Sequence, residues 1–224
     1  MNIFFMGTPE FAVPTLDILN KKYNVIGIFT QPPRPSGRGM KEIKSSIQEY
    51  SEKNKLNFYT PNNLKKDETL KLLKSLNPDL IVVVAYGLLI PEVILKIPSY
   101  GCINGHASLL PKWRGAAPIQ RAIEAGDIKT GCTSMLMEKG LDTGPMIHKK
   151  EILIKMENDV IDLFKSLSLL TAECLHETIQ KLISGDSKQT PQNNLEASYA
   201  HKLTKEEGLI LSLIHISEPT RPSR

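Results

Sequence analysis

Short apolar runs alternate with amphipathic stretches along the first part of the chain. Residues 2–6 and 24–30 are rich in branched and aromatic side chains and predict β-strands, and the stretch between them has helical spacing. Thr8 and Pro9 suit the N-cap and the first position of that helix, which we expect to reach about Leu19. A strand, a helix and a second strand in this order predict the start of a parallel, doubly wound sheet.

The same alternation continues along the chain. Residues 79–86 (DLIVVVAY) form the most apolar run and predict a central strand that is covered on both faces. The other predicted strands are 56–60, 101–106, 130–138 and 146–154, and the other predicted helices are 45–55, 64–76, 91–97, 115–125 and 160–183. The pattern therefore predicts an α/β fold with a doubly wound, mostly parallel, Rossmann-like sheet.

One segment, residues 31–41 (QPPRPSGRGMK), breaks this alternation. It combines proline and glycine with Arg34, Arg38 and Lys41 and has almost no apolar content, which predicts an exposed loop. The formal net charge of the whole chain is only +4, so charge by itself is weak evidence for a nucleic-acid partner.

Composition narrows the class of protein. A chain of 224 residues with 41% hydrophobic and 23% charged residues suits one sizeable domain, or one domain and a fragment of another. The three cysteines lie far apart without a CxxC pair, which argues against a disulfide framework and suits a reducing cytosol. The sequence has neither a secretory signal pattern nor an apolar run of membrane-spanning length, so we expect a cytoplasmic protein. The histidines have no metal-ligand spacing, and we expect no metal site.

The segment CINGHASLLPKWRG, which starts at residue 102, carries the strongest chemical signal. Residues two apart on a strand share a face, so Asn104 and His106 should project the same way. Buried without partners, each would cost on the order of 1–3 kcal/mol. A purely structural pairing would satisfy them, but they stand at the carboxyl end of a predicted parallel strand, where open α/β sheets form their binding crevices.

An amide and an imidazole without a nucleophile between them suit acyl transfer to an amine. Asn104 can donate to a developing oxyanion, and His106 can donate or accept a proton. A carboxylate would fix the tautomer of the imidazole, and Asp142 in the turn GLDTG is a good candidate. An Asx-turn is the competing role for Asp142.

The loop that follows this strand is apolar and basic at once. Residues 108–111 (SLLP) suit the flat face of a heteroaromatic ligand at the mouth of the crevice. Trp113 offers either a stacking surface or plain packing, and Lys112 and Arg114 are either ligand contacts or solvated charges. The chain has no complete GxGxxG, phosphate-loop or GxSxG motif, which disfavours dinucleotide binding, phosphate-loop chemistry and a serine nucleophile.

Four motifs together resemble the bacterial methionyl-tRNA formyltransferase family: NGHASLLPKWRGAAPIQRAI, GLDTG, VVVAYGLLIP and QPPRPSGRGMK. The likeness extends from MGTPEF near the N-terminus to YAHKLTKEEG at residues 199–208. Asn-x-His with SLLP is typical of the wider group that uses 10-formyltetrahydrofolate. KWRGAAPIQ and the RPSGRG loop are typical of the members that act on initiator tRNA.

The resemblance implies transfer of a formyl group from 10-formyltetrahydrofolate to the α-amino group of initiator methionyl-tRNA. It implies that Asn104 and His106 hold the formyl oxygen as it becomes an oxyanion, while Asp142 orients the imidazole and helps to relay the amine proton. The implied folate contacts are Ala85, Tyr86, Gly87, Ser108, Leu109, Leu110 and Pro111. The implied tRNA contacts are Arg34, Arg38, Lys41, Lys112 and Arg114.

The resemblance also divides the chain. We expect residues 1–203 to be the catalytic domain and residues 204–224 to hold the start of a linker and a non-native tail, because the last residues follow no helix or strand pattern. The family carries a C-terminal β-barrel that contributes to tRNA binding, and we expect this domain to be absent or truncated here and tRNA binding to be weaker. Gly105 stands where the family has a branched apolar residue, which predicts a softer strand. We expect a monomer.

Two other functions remain open at this point. One is another 10-formyltetrahydrofolate-dependent formyltransferase or hydrolase that acts on a small amine. The other is a non-catalytic folate- or RNA-binding module, which the joint presence of Asn104, His106 and Asp142 disfavours.

Overall fold

The computed structural model describes residues 1–36 and 41–207 of the chain. Arg38 and most of the C-terminal stretch discussed above therefore lie outside the described residues. The side chain of Lys41 also lies outside them, although its backbone is described.

Eleven strands and six helices make up the described part of the chain. The strands are β1 (Asn2–Gly7), β2 (Asn24–Phe29), β3 (Arg34–Ser36), β4 (Lys41–Ile43), β5 (Phe58–Tyr59), β6 (Leu80–Val84), β7 (Cys102–His106), β8 (Arg114–Gly115), β9 (Lys129–Leu136), β10 (Met146–Leu153) and β11 (Tyr199–Ala200). The helices are α1 (Val13–Lys22), α2 (Ser46–Lys53), α3 (Asp67–Leu76), α4 (Glu92–Leu95), α5 (Pro118–Glu124) and α6 (Val160–Ser184), with 3-10 turns at Glu10–Ala12 and Asn194–Glu196.

A seven-stranded sheet forms the centre of the fold, in the order β10-β9-β7-β6-β1-β2-β5. The five strands from β7 to β5 are parallel, and β9 and β10 add an antiparallel edge. The strand order reverses on either side of β1, which is the signature of a doubly wound sheet. The predicted fold class is confirmed.

Alternation along the central strands supplies two hydrophobic cores, one on each face of the sheet. In β1, Ile3 and Phe5 belong to the core covered by α1, α5 and α6, whereas Phe4 and Met6 belong to the core covered by α3 and α4. All five residues of β6 are buried, as the apolar run at 79–86 predicts for a doubly covered strand. Because β1, β6 and β7 are parallel neighbours, their carboxyl ends lie side by side at the same end of the sheet.

The start of the first helix differs from the sequence prediction. Thr8 caps no helix, because its hydroxyl donates to the carbonyl of Tyr86 at 2.9 Å, and α1 begins only after the turn at Glu10–Ala12. This hydrogen bond ties the end of β1 to the end of β6. The loop prediction for residues 31–41 was also incomplete, since β3 and β4 pair there as an antiparallel hairpin.

Gly105 is closely packed rather than loose. A Cβ atom at this position would lie 2.6 Å from Thr171 Cγ2 and 2.8 Å from Leu175 Cδ1, both on α6. Contacts this short do not occur without a shift of the neighbour, so α6 fills the space that a larger side chain would take. The expected softening of the strand is offset by this packing.

Candidate active site

Three predicted side chains converge at the carboxyl end of β7. Asp142 reaches Asn104 and His106 from the turn between β9 and β10, with a left-handed φ of 52°. Asn104 Nδ2 donates to Asp142 Oδ1 over a long 3.4 Å, and His106 Nδ1 lies 3.6 Å from Asp142 Oδ2. The side chains of His106 and Asp142 are only 7% and 13% exposed. The three groups thus share one largely dehydrated site, where charges interact more strongly than they do in water.

The hydrogen bonds of His106 define the tautomer of its ring. His106 Nε2 lies 2.7 Å from the carbonyl oxygen of Trp113. Because a carbonyl can only accept, Nε2 carries a proton, and in the neutral imidazole Nδ1 is then an unprotonated acceptor. Two acceptors do not bond, which fits the 3.6 Å gap between Nδ1 and Asp142 Oδ2. A proton that binds at Nδ1 would face the carboxylate directly.

The carboxylate of Asp142 is anchored by the backbone as well. Gly115 N donates to Asp142 Oδ2 at 2.9 Å, while Oδ1 receives the long contact from Asn104. The proposed competing role, an Asx-turn residue, would direct the carboxylate to the amides of its own turn, whereas both donors here are distant in sequence. Asp142 therefore faces the site.

Residues 85–87 form an exposed bend beside the site, directly after β6. Ala85 and Gly87 both have left-handed φ angles, 46° and 83°, and both residues are exposed. Tyr86 points inward, and burial raises the pKa of its phenol. The Tyr86 carbonyl accepts from Gln31 Nε2 at 2.7 Å, and a Cβ at Gly87 would clash with that same nitrogen. A larger residue here would have to adopt a left-handed φ and displace the Gln31 amide.

Residues 108–111 form a tight loop after β7 in which two side chains turn inward. Ser108 and Leu110 are fully buried, and Ser108 Oγ donates to the carbonyl of Lys112 at 2.6 Å. Leu109 and Pro111 are half-buried, so each keeps part of its apolar surface accessible. The loop thus matches the predicted apolar surface in part, while the Ser108 hydroxyl closes the loop instead of facing a ligand.

Thr133, opposite His106 in the sheet, fixes the shape of this loop. Its Oγ1 donates to the carbonyl of Ser108 at 2.7 Å and accepts from Leu110 N at 3.0 Å. The change Thr133→Val leaves both buried backbone groups without their partner, so we expect the free energy of unfolding to fall by about 1–3 kcal/mol. Urea denaturation measures this loss.

Thr130 provides a matched control on the same strand. It is 3% exposed, and its hydroxyl has no hydrogen-bond partner among the described residues. Thr130→Val should therefore leave stability unchanged or raise it slightly. Equal losses in the two variants would contradict the role assigned to Thr133.

Arg114 is placed differently from the sequence prediction. It is 2% exposed, and its guanidinium donates to Gln192 Oε1 and to Asn194 Oδ1, both at 3.0 Å. A buried guanidinium with these partners holds the protein interior together, and the direct contact between Arg114 and tRNA stays a prediction that this burial disfavours. The sequence gives no sign of this, because the partners are 78 and 80 residues away.

Lys112 and Trp113 share one acidic partner, Asp127. Lys112 Nζ lies 2.6 Å from Asp127 Oδ1, and Trp113 Nε1 donates to Asp127 Oδ2 at 2.8 Å. Trp113 is half-buried, which favours packing over the stacking role. The Lys112 side chain is 49% exposed and that of Asp127 only 13%, so the ammonium group keeps part of its surface open to another anion. Arg34 is exposed on β3, within the hairpin that follows β2.

Neither a metal-binding cluster nor a membrane-spanning helix is found in the described part of the chain. Within residues 1–36 and 41–207, no group of three or more His, Cys, Asp or Glu side chains is arranged to hold a metal ion. No helix among these residues combines the length and apolar character needed to cross a bilayer.

The fold and the site together define a formyl transferase. The family model described as "Formyl transferase" matches residues 1–179. Among solved structures, a phosphoribosylglycinamide formyltransferase from Anaplasma phagocytophilum superposes with a TM-score of 0.71 at 15% identity, over 90% of this chain and 99% of that one. A sugar 3N-formyl transferase, crystallised in the presence of dTDP and 5-N-formyl-THF, gives 0.67 at 19% identity, over 91% and 73%. These likenesses confirm the fold.

A higher identity narrows the family. The chain is 46% identical over 211 residues to a methionyl-tRNA formyltransferase from Idiomarina loihiensis, which covers 94% of this chain and 67% of that protein. The chain therefore belongs to the methionyl-tRNA formyltransferase family, an enzyme family, and the resemblance found in its sequence is confirmed. It spans about two thirds of the length of this relative.

Proposed function

We propose that this chain transfers the formyl group of 10-formyltetrahydrofolate to the α-amino group of initiator methionyl-tRNA, as a cytoplasmic, monomeric enzyme of translation initiation. Membership of the family supports the assignment of these two substrates. The observation that carries the chemistry is the convergence of Asn104, His106 and Asp142 at one dehydrated site.

The contacts of these three residues suit each step of the transfer. Asn104 Nδ2 can donate to the formyl oxygen as the amine attacks the formyl carbon and the oxygen becomes negative. His106 Nδ1 can accept the proton that the attacking amine loses, since Nε2 is already committed to the Trp113 carbonyl. Asp142 stabilises the resulting imidazolium across the short gap. The bond from the formyl carbon to the folate nitrogen then breaks, and that nitrogen receives the proton.

Two segments suit the folate co-substrate. The exposed residues Ala85 and Gly87 offer backbone donors and acceptors to a pterin edge, while the Tyr86 carbonyl is occupied by Thr8 and Gln31. Leu109 and Pro111 present partly exposed apolar surface suited to the flat ring. Both segments adjoin the carboxyl ends of the paired strands β6 and β7, next to His106.

We propose that the tRNA contacts come from the predicted basic residues other than the buried Arg114. Arg34 is exposed on the hairpin after β2, and Lys112 is half-exposed beside the site. Arg38 and Lys41 remain in the proposal from the sequence alone. Phosphate contacts of this kind give salt-dependent affinity, so binding should weaken as ionic strength rises.

Formyl transfer by the purified chain tests the proposal, with radiolabelled formyl donor and two acceptors assayed side by side. Initiator methionyl-tRNA should be formylated, and glycinamide ribonucleotide should not. Faster transfer to glycinamide ribonucleotide would favour an enzyme that acts on a small amine. Folate binding without transfer to either acceptor would favour a non-catalytic binding module.

A further inference from the structure

The segment that follows α6 folds back onto the active site. We call residues 190–200 the strap. Its start pairs with β10, where Thr190 and Met146 exchange two backbone hydrogen bonds of 2.8 Å. Its end pairs in parallel with β8, since Tyr199 lies opposite Arg114 and Ala200 opposite Gly115. The strap lies beyond residue 179, where the match to the family model ends.

Gln192 is the strap residue that contacts the catalytic turn. Its Nε2 donates to the backbone carbonyls of Asp142 and Gly144, both at 2.8 Å, and its Oε1 accepts from Arg114 Nε at 3.0 Å. Because a guanidinium can only donate, Oε1 must face Arg114, and both amide hydrogens must then face the two carbonyls. Arg114 therefore fixes the orientation of the Gln192 amide.

The strap supports two backbone conformations that flank the imidazole. Trp113, whose carbonyl accepts from His106, has a φ of 64°, and Asp142 has a φ of 52°. Such left-handed angles cost a non-glycine residue on the order of 1–2 kcal/mol and persist only where the surroundings enforce them. Ser198 Oγ accepts from Trp113 N at 3.0 Å, and Gln192 Nε2 holds the Asp142 carbonyl. The strap thus holds both partners of His106.

We propose that Gln192 is a positioning residue for formyl transfer. It holds the turn that contains Asp142 in the position where the carboxylate faces His106. This inference rests on the proposed function, because it assumes that Asp142 acts through the imidazole. Gln192 itself touches neither reacting group in the structure. Its effect should therefore fall on the rate of the chemical step and not on folate binding.

Replacement by methionine removes the amide and retains a similar length, so Gln192→Met tests this role. We expect kcat to fall on the order of 10–100-fold, because a misplacement of about 1 Å is costly in catalysis, while KM for the formyl donor changes less than about two-fold. Gln189→Met is the matched control, since Gln189 is exposed and lies three residues earlier. It should retain the unmodified rate. An unchanged kcat in Gln192→Met would overturn the proposal.

A double-variant cycle separates positioning from general destabilisation. In an Asp142→Ala background, the turn has no carboxylate left to position, so adding Gln192→Met should lower kcat less than about two-fold. A merely structural role would give the same loss in both backgrounds and would refute the inference. Thermal unfolding of each variant shows whether the protein is still folded at the assay temperature.

Amide hydrogen exchange at Gly115 gives a readout that does not depend on activity. Gly115 N donates to Asp142 Oδ2, so a displaced turn should expose this amide, and Gln192→Met should speed its exchange relative to Gln189→Met. Faster exchange in a chain that transfers no formyl group would support the role of Gln192 and sink the proposed function. Unchanged exchange and kcat in an active chain would sink the role of Gln192 alone.

Discussion

Formyl transfer should fall by about 10²–10⁴-fold when His106 is replaced by alanine. The structure gives His106 one uncommitted ring nitrogen, Nδ1, because Nε2 donates to the Trp113 carbonyl. The proposed transfer needs a base for the amine proton, and no other imidazole of the described chain adjoins Asn104 and Asp142 in the hydrogen-bond network. Loss of the ring removes this base, while the Asp142 carboxylate keeps its contacts with Gly115 N and Asn104 Nδ2.

Single-turnover transfer with saturating initiator methionyl-tRNA measures this loss. Folate affinity, measured separately by fluorescence titration, should change little, since the bend after β6 and the SLLP loop are intact. His201→Ala is a suitable control, because this exposed ring stacks on Tyr199 at 6.4 Å between centroids. A rate close to that of the unmodified chain in His106→Ala would remove His106 from the mechanism.

Local pattern was sufficient to predict much of the fold and part of the site. All five residues of β6 are buried, so its unbroken apolar run correctly predicted a strand that is covered on both faces of the sheet. The two-residue period of β7 predicts that Asn104 and His106 share a face, and Asp142 stands out in a turn between two glycines. Each of these signals is carried by residues within a few positions of one another, which is the range in which a strand or a turn is specified.

Long-range contacts account for what the sequence pattern missed. Thr8 is a residue type that is common at helix N-caps, yet its hydroxyl donates to a carbonyl 78 residues away. Arginine is usually exposed at the surface, yet Arg114 is buried beneath the strap. Gln192 carries no motif at all, because its role depends on a turn 50 residues earlier. Such residues are specified by tertiary packing, which overrides local preference.

The second large effect is expected from Asp142→Asn, which keeps the size of the side chain and removes its charge. In the structure both carboxylate oxygens accept hydrogen bonds, from Asn104 Nδ2 and from Gly115 N. An amide offers only one accepting oxygen, so its NH₂ group must face one of these two donors. An imidazolium at His106 would also lose its counter-charge. We therefore expect kcat to fall by about 10²–10⁴-fold, as in other histidine–carboxylate pairs.

The asparagine variant also distinguishes charge from geometry. Asp142→Asn and Asp142→Ala should lose similar activity if the carboxylate acts by its charge, whereas a purely spatial role would let asparagine retain most of the rate. Steady-state transfer to initiator methionyl-tRNA gives kcat, and Asp186→Asn at an exposed position is the matched control that should keep full activity. A near-normal kcat in Asp142→Asn would show that the imidazole needs no anionic partner, and the proposed proton path through Asp142 would then be wrong.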